Sequence, residues 1–484
     1  MSRRLLTIQK VLGALLVLTS LFPVPPLLLA LVLGESTVAP FATTFFLTAA
    51  LGLVLWWPVR RMRHPLRLRD GFLITTMAWT LASLVSSIPF MLAPPALSFT
   101  HALFEATSGL TTTGATTIDG LDGLPRSVLL FRQSLNFYGG LGIVLLAVAI
   151  LPMLRVGGMQ LFRAQATGPV RDTKLTPRIA ETAKALWKVY LGLNILCALA
   201  FWAAGMSLFD AICHALSTVA TAGFSTHDAS FGYWNTPMIE LVAICFMLVG
   251  GINFGLHYVA WRRATMAPYQ SDTELRFFIL LALVVSLAVG LVLWSNGAYP
   301  GAGEAFRHAA FQTVSNLTTT GFTSGDFSVW PSFVPLLLML AGFVGGSSGS
   351  TSGGMKVARV TMAIRLGLRE IRQLVHPKGQ FIVKMGGHQV PEHIVLSVGG
   401  FCTLYVLCFT VVMLALTATG IDLVTAFTAA ATSINNMGPG LGDISVHFGT
   451  LPAPAVWICS FAMLLGRLEV FTVLVLFAPS FWRE

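Results

Sequence analysis

The sequence predicts an all-α polytopic membrane protein. Two extra N-terminal spans precede four repeats of span, short helix, Gly-containing loop and span, set in a pseudo-fourfold arrangement. Three observations carry this reading. The 484 residues are 55% hydrophobic and only 10% charged, against about 25% charged in a soluble protein, and the mean hydropathy is +0.77. Apolar runs of bilayer length recur from end to end. One loop pattern returns four times in fixed register. The composition excludes a single soluble enzyme and a disordered or fibrous chain.

The apolar runs lie at 5–33, 39–58, 70–93, 126–154, 184–206, 236–261, 275–296, 333–366, 391–419 and 452–479, which makes ten spans. Arg3, Arg4 and Lys10 open the first run. No small-residue cleavage site follows them, so the run reads as an uncleaved span. Lys and Arg then alternate by side. Arg60, Arg61, Arg63, Arg67 and Arg69, segments 155–188 and 355–384, and Arg262, Arg263 and Arg276 fall on one side. The other side holds the Gly/Thr loops with only Arg126, Arg132 and Arg307. The positive-inside rule makes the basic loops and both termini cytoplasmic. The net charge of +10 therefore reports topology and not nucleic-acid binding. The six cysteines are scattered singly through apolar stretches and read as packing residues.

The chain divides into an N-terminal pair of spans (1–69) and four pore-loop repeats at 70–154, 155–262, 263–375 and 376–484. The repeats align on Gly114, Gly223, Gly321 and Gly438. Six residues earlier stand Ser108, Ser217, Ser315 and Thr432; two earlier stand Thr112, Thr221, Thr319 and Asn436. Five residues later stand Asp119, Asp228, Asp326 and Asp443, four of only ten Asp in the chain. That register is not a chance pattern. Each preceding short helix is about half the length that a bilayer demands, so it must enter the membrane and return. Irregular backbone survives at that depth only against protein or a water-filled cavity. Four such hairpins in one register suit a single constriction on a common axis.

Glycine permits backbone conformations that aim successive carbonyls toward such an axis, and rings of carbonyls replace the water shell of a dehydrated K⁺. The short helices would point partly negative C-termini at the same place. The four Asp would gather cations at the outer mouth, cap turns, or do both.

The loops TTTGATT, ATAGFST, TTTGFTS and NNMGPGLGD resemble the four filters of the TrkH family, within the TrkH/KtrB/HKT superfamily of K⁺ transporters. The resemblance covers nearly the whole chain. It implies K⁺ uptake, with Rb⁺ accepted, because a glycine in every filter goes with K⁺ selectivity and a serine replacing the first goes with Na⁺. It implies K⁺ coordination by the backbone of Thr112, Thr113 and Gly114; Thr221, Ala222 and Gly223; Thr319, Thr320 and Gly321; and Asn436, Met437 and Gly438. Ala222 and Met437 depart from the family pattern, a mild change if carbonyls hold the ion.

Below the filter, an apolar run from Phe333 to Val344 is too short to span and leads into GGSSGSTSGG, residues 345–354. Such a stretch makes a poor helix. It resembles the family's intramembrane gating loop, with Gly345, Gly346, Gly349, Gly353 and Gly354 as its flexible points. It also approaches a phosphate-binding loop, but Met355 stands where Lys is needed and no strand precedes it, so no nucleotide site is expected in this chain. Arg467, inside the last span, matches a family arginine that projects into the pore as a barrier. The other reading is a structural ion pair, with Glu469 as candidate partner.

The resemblance further implies a cytoplasmic TrkA-type nucleotide-binding regulatory subunit, a homodimer, and a bacterial inner-membrane location. The basic segments 155–188 and 355–384 would dock that subunit or meet anionic lipid. The alternatives are a KtrB-like or ion-coupled (Na⁺ or H⁺) symporter and, more distantly, an alternating-access transporter. An enzyme is not expected: His101, His214 and His308 come with no paired nucleophile or metal-ligand spacing.

Overall fold

A computed structural model describes residues 3–62, 67–145 and 175–483. Among these residues the regular secondary structure is helical, apart from one small hairpin that pairs Lys384 with Gln389 and Met385 with His388. Six helical stretches are long and apolar enough to cross a membrane: Arg4–Leu33, Val38–Val59, Arg69–Leu92, Ala183–Ala203, Thr273–Ser295 and Glu392–Thr417. They coincide with six of the ten apolar runs. Large apolar side chains such as Phe46, Val54, Leu280 and Leu407 are exposed on them, which suits a surface solvated by lipid tails. Where the first two cross, small residues let the backbones meet. A methyl on Gly13 would lie 2.7 Å from the Trp56 nitrogen, and one on Gly52 equally close to the Val17 nitrogen.

Three of the other four runs are broken among the described residues. The run at 126–154 forms the helix Arg126–Leu145; its remainder, and residues 155–174 of the basic segment, lie outside the described residues. The run at 236–261 breaks into Pro237–Gly250 and Phe254–Arg263, which meet at 95°. The run at 452–479 breaks into Ala453–Arg467 and Phe471–Phe477, at 105°. The run at 333–366 splits into Phe333–Val344 and Val357–Val375 around the Gly/Ser stretch. Hydropathy averages over these breaks because most of their residues are small or apolar. The freed backbone groups are satisfied by one another. Gly251 O accepts the Ser347 N–H at 2.8 Å, and Gly250 O accepts the Thr351 hydroxyl at 3.1 Å.

Four short helices complete the set: Phe99–Leu110, Leu208–Val219, Ala302–Leu317 and Leu423–Asn435. Three start on side-chain caps, from Ser98, Ser207 and Asp422. Each leads into one of the glycine loops and is largely buried along its length.

Candidate functional site: a fourfold constriction

All four short helices end in the same way. The residue two before the aligned glycine turns left-handed: Thr112 (φ 51°), Thr221 (50°), Thr319 (54°) and Asn436 (53°). The next residue's N–H then reaches back to the carbonyl six before the glycine. These bonds run Thr113 to Ser108, Ala222 to Ser217, Thr320 to Ser315 and Met437 to Thr432, all at 2.8–3.0 Å. A second bond in each repeat joins the left-handed residue to the carbonyl three before it. This is the Schellman pattern of helix termination. Three of the four left-handed residues are Thr, which pays about 1–2 kcal/mol for that conformation. The strain sits at the constriction and nowhere else in the short helices.

The aligned glycines are left-handed again, with φ of 80°, 81°, 85° and 93° for Gly114, Gly223, Gly321 and Gly438. Alternation of handedness along the strand is what lets neighbouring carbonyls face one direction. The contacts close a ring. A methyl on Gly114 would meet the Ala222 oxygen at 2.0 Å, one on Gly223 the Thr320 oxygen at 2.1 Å, and one on Gly321 the Met437 oxygen at 2.1 Å. One on Gly438 would meet the Thr113 oxygen at 2.8 Å. Each glycine therefore faces the carbonyl of the next repeat, in the order one, two, three, four and back to one. The four sequence-predicted loops are brought together as expected. The Met437 side chain turns outward, against Gly342 and Met339, so only its backbone is available to the axis.

The two sides of the ring differ. On one side lies a cavity of about 440 Å³ floored by all four glycines and reached by Asp228 and Asp326. All four predicted Asp are exposed. Asp119 binds the Gly120 N–H, Asp228 the Leu121 N–H across repeats, and Asp326 the Ser328 N–H. Three of the four thus cap turns, and two also line the mouth. His227 stands on the same cavity, bonded to Asp122, 3.6 Å from Asp210 and stacked on Tyr233.

Beneath the ring lies a cavity of only about 30 Å³, lined by Ser352, Gly353, Lys356, Asn436 and Arg467 among others. Residues 345–354 pack against the ring here. Thr351 Oγ1 donates to Val219 O at 2.9 Å and lies 3.2 Å from Thr221 Oγ1. Ser352 Oγ bonds Thr318 O at 2.5 Å, and the Gly353 N–H donates to Thr319 Oγ1 at 2.6 Å. Gly353 is pressed so close to Asn435 that a methyl would sit 1.9 Å from its oxygen. Gly345, at φ 71° and ψ −168°, occupies a region only glycine tolerates.

Arg467 is buried and donates to the Thr351 carbonyl at 2.8 Å, with Nε and the other terminal nitrogen without a hydrogen-bond partner among the described residues. Glu469 is not its partner. That carboxylate bonds Arg359 at 2.5 Å, because the helix ends at Arg467 and the chain turns through left-handed Glu469 and Val470. Arg467, without an ion-pair partner among the described residues, therefore presents its charge to the space under the ring, and Lys356 joins it there by bonding the Ser352 carbonyl. The charge count sets Lys356 and Arg359 with the basic connections and Arg132 on the side of the Gly/Thr loops. All three are buried. The rule that flagged Arg467, an ionisable residue inside an apolar run, applied equally to Arg132.

Comparison with known proteins shows what the chain is similar to. Residues 38–484 match the family model TrkH, a cation transport protein. The chain is 49% identical to the Trk system potassium uptake protein TrkH of Vibrio parahaemolyticus, over 99% of both chains. It is 46% identical to TrkH of Escherichia coli K12, again over 99% of both. The crystal structure of the potassium transporter TrkH from Vibrio parahaemolyticus superposes with a TM-score of 0.93 at 46% identity, covering 99% of this chain and 100% of that one.

Proposed function

Because the chain belongs to the TrkH family of cation transport proteins, a family of transporters and not of enzymes, we propose that it carries K⁺ into a bacterial cell across the inner membrane, through the ring of four filter loops. The observation that carries this reading is the closed cycle of glycine-to-carbonyl contacts through all four repeats. Backbone oxygens there replace the ion's hydration shell. The ions would be held by Thr112, Thr113 and Gly114 and their counterparts in the other three repeats. Asp228 and Asp326 line the outer cavity and would raise the local cation concentration.

In the same reading residues 345–354 are the gate. Their hydrogen bonds to Thr318, Thr319, Thr221 and Val219 hold them against the inner face of the ring, where Arg467 and Lys356 add positive charge. Opening requires that these bonds exchange for water. The control would come from a TrkA-type nucleotide-binding subunit on the cytoplasmic side, where the basic segments and both termini lie, and the membrane subunit would act as a homodimer. Relatives carry the name of a Trk system, which supports partner subunits. Uptake of radioactive Rb⁺ into liposomes holding the purified protein tests the reading. The expected result is uptake that K⁺ competes for and Na⁺ does not; equal competition by both ions overturns it. Reversal potentials at varied Na⁺ and H⁺ separate passive permeation from coupled symport.

A further inference from the structure

Behind the ring, repeat one carries a buried ion pair at a place where the other repeats have none. Arg132 Nε lies 2.7 Å from Glu105 Oε1, and both side chains are at most 1% exposed. Neither group is spent on the other alone. Glu105 accepts the Thr117 N–H at 3.0 Å and the Thr116 hydroxyl at 3.0 Å, from the second and third residues beyond Gly114 of repeat one. Arg132 donates to the Ser225 carbonyl at 3.0 Å and to Thr116 Oγ1 at 3.1 Å. Its guanidinium also lies over the Phe224 ring at 4.2 Å. Ser225 and Phe224 follow Gly223, so one side chain ties the filter strand of repeat one to that of repeat two.

The other repeats show that this is a local device. Nine residues before the aligned glycine, where repeat one has Glu105, stand His214, Gln312 and Ala429. Gly139, Gly250 and Gly466 occupy matching places in the second helices, each facing the carbonyl of Leu110, Val219 or Ile434. Seven residues before them stand Arg132, Ala243 and Cys459. Only repeat one places opposite charges at this pair of positions.

We propose that Arg132 and Glu105 are positioning residues for ion discrimination: the pair fixes the spacing between the filter strands of repeats one and two, and so the width of that side of the ring. The proposal rests on the filter reading above. A buried guanidinium with three acceptors in a fixed fork is rigid in a way that a lysine, one flexible point charge, is not, and a site holds its geometry only as well as the groups behind it.

The test uses the full-length protein in liposomes, with Arg132→Lys and Glu105→Gln. Two quantities are read: competition of Na⁺ against Rb⁺ uptake, and the rise in melting midpoint that K⁺ gives over Na⁺ in the purified protein, a measure of ion binding to the folded state. The expected result is a fall of about tenfold in K⁺ over Na⁺ preference and a smaller K⁺-specific rise in melting midpoint for both variants. A pair that serves only the fold would lower the midpoint equally in both salts and leave the preference unchanged, and that result overturns the proposal. If Arg132→Lys does not accumulate, Glu105→Gln, which keeps the shape and an acceptor, decides alone. If neither accumulates, the pair serves the fold and the proposal is overturned. Loss of ion preference in the unaltered protein would instead overturn the filter reading.

Discussion

The ring and the segment beneath it are built on opposite plans. The ring repeats one device four times: a Schellman turn, a left-handed glycine, and a carbonyl aimed at the neighbour. The segment at 345–354, Arg467 and Lys356 each occur once, and their contacts reach three different repeats. An ion that sheds its water needs ligands on every side, which repetition supplies. An obstruction has to move, and a single segment can leave without dismantling the ring. Its hydrogen bonds run to hydroxyls and carbonyls that water can serve as well, whereas each strand of the ring is held by the backbone turn that ends its own short helix.

The largest expected effect breaks the lower half. Removing residues 347–352 should raise uptake without any partner by about tenfold or more, equivalent to at least 1.4 kcal/mol off the barrier. Liposome Rb⁺ flux measures it, and unchanged flux would mean that the segment obstructs nothing.

Next comes the ring, where the contacts grade the four glycines. Gly114→Ser forces a side chain into the space of the Ala222 oxygen and should cost about tenfold in K⁺ over Na⁺ preference. Gly438→Ser meets its neighbour at 2.8 Å instead of 2.0 Å and should cost less. Competition assays on both variants check the ranking; the reverse order would contradict the geometry.

A smaller change is expected for Arg467→Ala. No carboxylate is left behind, since Arg467 has no ion-pair partner among the described residues, so the usual penalty for orphaning a buried charge does not arise. Single-channel or flux measurements should show a several-fold increase with a nearly unchanged melting midpoint. A protein that melts far earlier, with no gain in flux, would assign the arginine to the fold.

The smallest effect concerns the outer cavity. Burial pushes the His227 imidazole down, but Asp210 and Asp122 outweigh it and hold it above its usual value. The tether between the loops of repeats one and two is then fully present below about pH 6.5, and it weakens as the pH rises through the raised value. His227→Gln should remove this alkaline-side loss, seen as a difference of less than about 2 °C in the melting midpoint between pH 6 and 9. An identical pH profile in both proteins would show that the tether contributes nothing.

The register of Ser/Thr, Thr/Asn, Gly and Asp was legible because each position answers a local demand. The turn needs a left-handed residue, the strand needs glycine, and the outer turn needs a cap. Arg467 and the Gly/Ser stretch were legible as violations, one a charge and the other a helix breaker inside apolar runs. The 95° and 105° bends at Gly250–Asn253 and Arg467–Phe471 were not, because a window of hydropathy has no term for direction. Nor was the pairing of Glu469 with Arg359 in place of Arg467, which depends on where a helix stops.

By itself, the sequence determined that the chain lives in a bilayer and that four equivalent hairpins dip into it, since composition and periodicity answer to the solvent and to local backbone chemistry. Only the tertiary structure decided which carbonyl faces which glycine, that Thr351 closes on Thr221 and Arg467, and that Arg132 joins repeats one and two. Those contacts join residues far apart in the chain, 130 positions for Thr221 and Thr351 and 116 for Thr351 and Arg467, chosen by how helices pack around an axis, and no local pattern encodes them.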